Sequence, residues 1–128
     1  MRVLPIAAAA CLLAGAAPAS TLTLALPEVP SIARDDARYQ CDGDPAKLGL
    51  AQPFPVTYLN AGENHLAVMT IRGVSLVFVG VGAGSNARYV TGRYTWWDEP
   101  GQRTFLAINF PTDLGGLQSI LCHRMGKS

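Results

Sequence analysis

The chain is 128 residues long, 49% hydrophobic and 15% charged, with 10 Lys and Arg against 9 Asp and Glu. That length bounds it to one domain. The near-neutral balance, without a basic run, leaves no electrostatic case for binding nucleic acid.

The N-terminus reads as a secretory signal. Arg2 supplies a small positive region, Val3 to Ala16 is apolar and uncharged, and Ala17-Pro18-Ala19 has the A-x-A form of a cleavage site. The apolar run falls short of the ~20 residues that a spanning helix needs. Residues 1–19 are therefore expected to be removed after Ala19, giving a periplasmic or secreted product. Cys11, preceded by Ala8 to Ala10, offers the alternative of a lipidated N-terminus on the outer membrane, but Leu12-Leu13 continue the apolar stretch. Loss of Arg2 leaves 9 residues of each sign.

Residues 20–37 contain Pro27, Pro30 and the polar cluster Arg34-Asp35-Asp36, and are expected to form a flexible tether. Thr21 to Leu26 alternates, but its two neighbouring prolines argue against a strand there. From Arg38 onward, short β-rich runs are punctuated by turn residues. Arg38 to Cys41 precedes the turn Asp42-Gly43-Asp44-Pro45, and Phe54 to Leu59 ends at the cluster Asn60 to Asn64. His65 to Ile71 and Val74 to Val81 flank Arg72-Gly73, a tight hairpin. Gly82 to Asn86 is a glycine-rich loop. Arg88 to Trp97 alternates, with Val90, Tyr94 and Trp96 on one face and Thr91, Arg93 and Thr95 on the other. Arg103 to Phe110 and Leu117 to Cys122 follow. No stretch after Ala37 supports a helix of three turns, and the turn spacing predicts an all-β sandwich or small barrel.

Two cysteines, Cys41 and Cys122, remain after cleavage, and an even count in an oxidising compartment predicts a disulfide. Gly82-Ala83-Gly84-Ser85-Asn86-Ala87 matches G-x-G-x-x-A, but a strand follows where the dinucleotide fingerprint requires a helix N-terminus. Ser85 lacks the flanking glycines of a nucleophile elbow, since Ala83 and Ala87 occupy those positions. His65 and His123 are the only histidines, each read as a surface or edge residue. Asp42 and Asp44 are read as turn residues capping backbone N–H groups, and Asp98-Glu99 as preceding the turn Pro100-Gly101. Neither enzyme chemistry nor a metal or cofactor site is expected. What the glycine-rich loop does offer is a projecting backbone with a hydroxyl near its tip.

These residues resemble the bacterial C-type lysozyme inhibitors over roughly Arg38 to Arg124, nearly the whole domain expected at 38–124. The resemblance begins at Tyr39-Gln40-Cys41-Asp42-Gly43 and continues through Val56-Thr57-Tyr58-Leu59-Asn60 and Leu66-Ala67-Val68. Its most specific part is Ala83-Gly84-Ser85-Asn86-Ala87-Arg88-Tyr89, similar to the family's S-G-S-G-A-K-Y signature. Tyr94-Thr95-Trp96-Trp97 then falls where an aromatic strand is expected. The resemblance implies an eight-stranded antiparallel barrel closed by Cys41–Cys122. It further implies that Gly84, Ser85, Asn86, Ala87, Arg88 and Tyr89 enter the catalytic cleft of a lysozyme, with Ser85 meeting its carboxyl groups.

Three departures stand out. Ala83 replaces the first serine. Asn86 stands where glycine is usual, although asparagine tolerates left-handed φ better than most residues. The family's second motif, Y-x-x-x-T-K-G, falls on Tyr94 through Pro100, with Asp98 and Glu99 in place of threonine and lysine. Glu99 would repel acidic groups where a lysine would attract them, with Arg93 or Arg103 as candidates to compensate. That reversal favours the alternative of a non-inhibitory periplasmic scaffold or ligand-binding barrel.

Overall fold

The structure, a computed structural model, describes residues 18–83, 86–99, 103–110 and 118–126. Eight antiparallel strands close into a barrel in simple sequence order. They are β1 (Ala33–Cys41), β2 (Phe54–Ala61), β3 (Asn64–Ile71), β4 (Val74–Ala83), β5 (Asn86–Val90), β6 (Tyr94–Glu99), β7 (Arg103–Ile108) and β8 (Ser119–Arg124). Closure pairs β1 with β8 and leaves the sheet without a free side.

Alternation of side chains explains why these segments make a barrel. In an antiparallel sheet, residues directly opposite point to the same face. The register carries one inward row through Tyr89, Trp96, Leu106 and Ile120, all of them buried. Phe54, Val56 and Tyr58 on β2, and Ala67, Met69 and Ile71 on β3, repeat the period-2 pattern. Trp96 sits at the centre, fully buried, with the Tyr39 ring edge-on at 4.9 Å and Phe54 at 5.9 Å. One end of the barrel is sealed by the 3-10 turn Pro45–Leu48, whose Leu48 is fully buried and whose carbonyl accepts from the Arg72 N–H at 2.8 Å.

The Arg72-Gly73 hairpin forms as expected: Ile71 pairs with Val74, and both turn residues have positive φ, 54° and 76°. That is the type I′ geometry whose twist suits a two-residue connection. The disulfide joins Cys41 and Cys122, which are direct register partners across the β1–β8 seam.

Other expectations are corrected. β1 starts at Ala33, so the last part of the stretch read as a tether, Ala33 to Ala37, is strand, held by five of the seven register pairs between β1 and β2. Arg34 and Asp36 lie on its exposed face as an ion pair at 3.1 Å, which is how a polar cluster can occupy a strand. The Arg88 to Trp97 run is two strands, not one. The chain turns at Thr91 to Arg93, where the Thr91 N–H donates to the Tyr94 carbonyl at 3.0 Å. Val90 therefore pairs with Thr95 on the outside, while Tyr94 and Trp96 face inward. Gly82 and Ala83 extend β4 rather than opening a loop, β7 ends at Ile108, and β8 runs from Ser119 to Arg124. Residues 1–17, which include Cys11, lie outside the described residues.

Candidate functional site

The signature segment lies on the β4–β5 hairpin. Val81 pairs with Arg88, Gly82 with Ala87 and Ala83 with Asn86. Gly84 and Ser85, the pair between Ala83 and Asn86 in sequence, lie outside the described residues, and Asn86 is placed through its backbone. Beyond them Ala87 is exposed, Arg88 half-buried and Tyr89 buried.

Tyr89 faces the interior and anchors the hairpin. Its ring meets the Tyr58 ring at a centroid distance of 5.5 Å. Gly80, its register partner, leaves room for it. A Cβ added to Gly80 would lie 2.8 Å from the Cβ of His65, 3.0 Å from the His65 carbonyl oxygen and 3.4 Å from the Tyr89 ring. Glycine is thus required at this point because the neighbouring strand and the aromatic ring occupy the space.

Below Tyr89 lies a buried polar chain. The Trp96 indole N–H donates to the Tyr58 hydroxyl at 2.8 Å, and the Tyr58 and Tyr39 hydroxyls are hydrogen-bonded at 2.7 Å. Burial pushes the phenols of Tyr39, Tyr58 and Tyr89 above their ordinary range, and the negative charge of Asp98 adds to the shift. Asp98 itself accepts from the hydroxyl of the fully buried Thr104 at 3.0 Å. Asp35 and Arg124 form an ion pair at 2.9 Å, and the hydrogen bond to Asp35 raises the Arg124 guanidinium pKa.

The second motif lies beside the first. Ala87 stands opposite Asp98 across β5–β6, and Glu99 stands opposite Arg103 across β6–β7. Asp98 is tied to the barrel wall, whereas Glu99 has no ion-pair partner among the described residues. Of the two arginines considered as compensation for Glu99, Arg103 is in reach by register. Arg93 belongs to the β5–β6 turn at the other end, where its carbonyl accepts from the Asn109 N–H at 2.8 Å.

Sequence reasoning named Arg88 and Arg103 but missed the aromatic side chains beneath them on the outer face. Arg88 and Trp97 are cross-strand partners, with the guanidinium carbon 5.4 Å from the centre of the indole. Phe105 stands next to Trp97 in the following strand, and the Arg103 guanidinium lies 5.7 Å from its ring centre. The signal was present as period-2 alternation, but it becomes readable only once the chain is broken at Thr91 to Arg93.

The remaining candidates are accounted for by surface contacts. His65 Nδ1 is 2.6 Å from Asn60 Oδ1, and His123 Nε2 is 3.2 Å from Asp42 Oδ2. Asp44 makes no side-chain cap and pairs with Lys47 at 3.7 Å instead. Among the described residues no group of three or more His, Cys, Asp or Glu is placed to hold a metal ion, and no helix is long and apolar enough to cross a membrane.

No protein-family model matches the chain. It is 35% identical over 82 residues to the membrane-bound lysozyme inhibitor of C-type lysozyme from Pseudomonas aeruginosa, a match covering 63% of this chain. The chain spans 59% of that relative's length. Among solved structures it is similar to Pseudomonas aeruginosa MliC, crystallised in complex with hen egg white lysozyme. The TM-score is 0.61 at 28% identity, covering 85% of this chain and 100% of the other. The resemblance to C-type lysozyme inhibitors read from the sequence is borne out by both comparisons.

Proposed function

We propose that the protein is an exported inhibitor of C-type lysozymes, cleaved after Ala19, which acts by inserting the tip of the β4–β5 hairpin into the catalytic cleft. The observation that carries this reading is the likeness, in sequence and in fold, to a lysozyme inhibitor whose solved structure is a lysozyme complex. The anchoring of the hairpin supports it. Tyr89, packed on Tyr58 and paired with Gly80, ties the described part of the β4–β5 hairpin to the barrel interior.

The chemistry at the tip suits the target. A lysozyme works with one protonated and one ionised carboxyl group flanking the scissile bond. The Ser85 hydroxyl donates one hydrogen bond and accepts others, so it can donate to the ionised group and accept from the protonated one. Hydrogen bonds to charged groups contribute about 1.5–3 kcal/mol each. Occupancy of the same space excludes the glycan. Inhibition in this scheme needs no reaction, only a tip of the right shape and polarity.

A lysis assay tests the reading. The oxidised chain lacking residues 1–19, added in equimolar amount to a C-type lysozyme at micromolar concentration, is expected to abolish hydrolysis of bacterial cell walls. Undiminished hydrolysis at a large excess, against several C-type lysozymes, would refute it.

A further inference from the structure

The outer face beside the hairpin carries two cations whose charge the described residues do not neutralise. Arg34, Lys47 and Arg124 are each committed to an aspartate. Arg88 and Arg103 have no ion-pair partner among the described residues and lie over aromatic rings instead. Their order on the barrel wall is set by register: Arg88 against Trp97, Trp97 against Phe105, with Arg103 two residues before Phe105 on the same face. The Nε of Arg88 and the indole Nε1 of Trp97 are buried without a hydrogen-bond partner among the described residues. Arg88 is therefore held by packing, with its charge unmatched among the described residues. Arg103 is exposed.

We propose that Arg88 and Arg103, braced on Trp97 and Phe105, form a cationic shoulder of the inhibitory surface that pairs with carboxylates lining the partner's cleft. The inference rests on the lysozyme-inhibitor reading and extends it from the hairpin tip to the barrel wall. Position supports it: Arg88 is the direct continuation of β5 from the tip, and Arg103 opens β7 opposite Glu99. Chemistry supports it too. A guanidinium matches a carboxylate with two parallel N–H donors, and a stacked one has already given up much of its freedom before the partner arrives. Tryptophan and arginine are also the side chains most enriched among residues that dominate binding energy. Glu99 opposes the same attraction, so Arg103 and Glu99 set the local charge between them.

The test is binding of hen egg white lysozyme to the oxidised chain lacking residues 1–19, measured by calorimetry at low and high salt. Arg103→Gln and Arg88→Gln are each expected to weaken binding by about tenfold, the scale of one lost charged hydrogen bond. The double variant is expected to lose most of the salt dependence seen in the parent. Arg103→Lys, which keeps the charge but not the planar fork, is expected to fall between parent and Arg103→Gln. Glu99→Gln is expected to tighten binding. A double variant that binds as tightly as the parent, with the same salt dependence, overturns the shoulder while leaving the hairpin reading intact. A parent chain that does not bind overturns both.

Discussion

The indole N–H of Trp96 donates to the hydroxyl of Tyr58 across the centre of the barrel, at 2.8 Å. Both residues are buried, and the same hydroxyl is bonded to that of Tyr39. Buried polar groups of this kind stabilise a fold only when all are satisfied. They also fix one packing arrangement directly beneath the ring of Tyr89, and therefore beneath the hairpin.

Removing the shared hydroxyl leaves two groups without their partner. Tyr58→Phe keeps the ring against Tyr89 but deprives the Trp96 N–H of its acceptor and Tyr39 of its neighbour. The expected loss of stability is about 1–3 kcal/mol, read as a lower urea midpoint with an unchanged slope. An unchanged midpoint would show that water or a rearranged partner takes the place of the hydroxyl.

The raised phenol pKa values give a pH dependence with a definite sign. Tyr39, Tyr58 and Tyr89 stay protonated in the folded barrel above the ordinary value of 10.0 at which an exposed tyrosine ionises. In that range the unfolded chain binds fewer protons than the folded one, so the unfolding free energy falls as pH rises. The contribution of these groups is complete below about pH 10 and declines above it, by up to about 1.4 kcal/mol per pH unit for each tyrosine. Urea unfolding between pH 8 and pH 11.5 is expected to show this decline, less steep in Tyr58→Phe. Stability constant to the top of that range would contradict the burial of the phenols.

The β1–β8 seam depends on its disulfide. Three register pairs join those strands, against seven between β1 and β2, and Cys41 and Cys122 are separated by 81 residues. Closing a loop of that length constrains the unfolded chain by about 4–5 kcal/mol in the chain-entropy account. The double variant Cys41→Ser, Cys122→Ser is expected to lose most of that stability, and with it the closed barrel at 37 °C. A double variant within about 1 kcal/mol of the parent in urea unfolding would contradict the seam's dependence on the bond.

Much of this architecture was legible because each strand of a half-buried sheet alternates. Phe54, Val56 and Tyr58 announce both a strand and its inner face, and Arg72-Gly73 announces a hairpin of known type. The split at Thr91 to Arg93 was not legible. Thr91 and Arg93 carry no turn signal of their own, and Gly92 alone does not interrupt an alternating pattern that resumes in phase by eye. Register was the missing information: it moved Val90 outward, set Tyr89 over Gly80, and brought Arg88 to Trp97. The start of β1 at Ala33 was not legible for a related reason. Its outward Arg34 and Asp36 look like a solvated linker until β2 supplies Thr57, whose hydroxyl donates to Asp36 at 2.9 Å. Candidate residues on the signature hairpin could be named from the sequence, but the inward turn of Tyr89 and the neighbourhood of Asp98 and Glu99 are properties of the closed sheet.

Titration of hen egg white lysozyme with the Ser85→Ala variant, compared with the parent by calorimetry, tests hairpin insertion most directly. The account predicts affinity lower by about tenfold or more, the scale of the hydrogen bonds lost, with thermal stability unchanged. Equal affinity in the two proteins would contradict it.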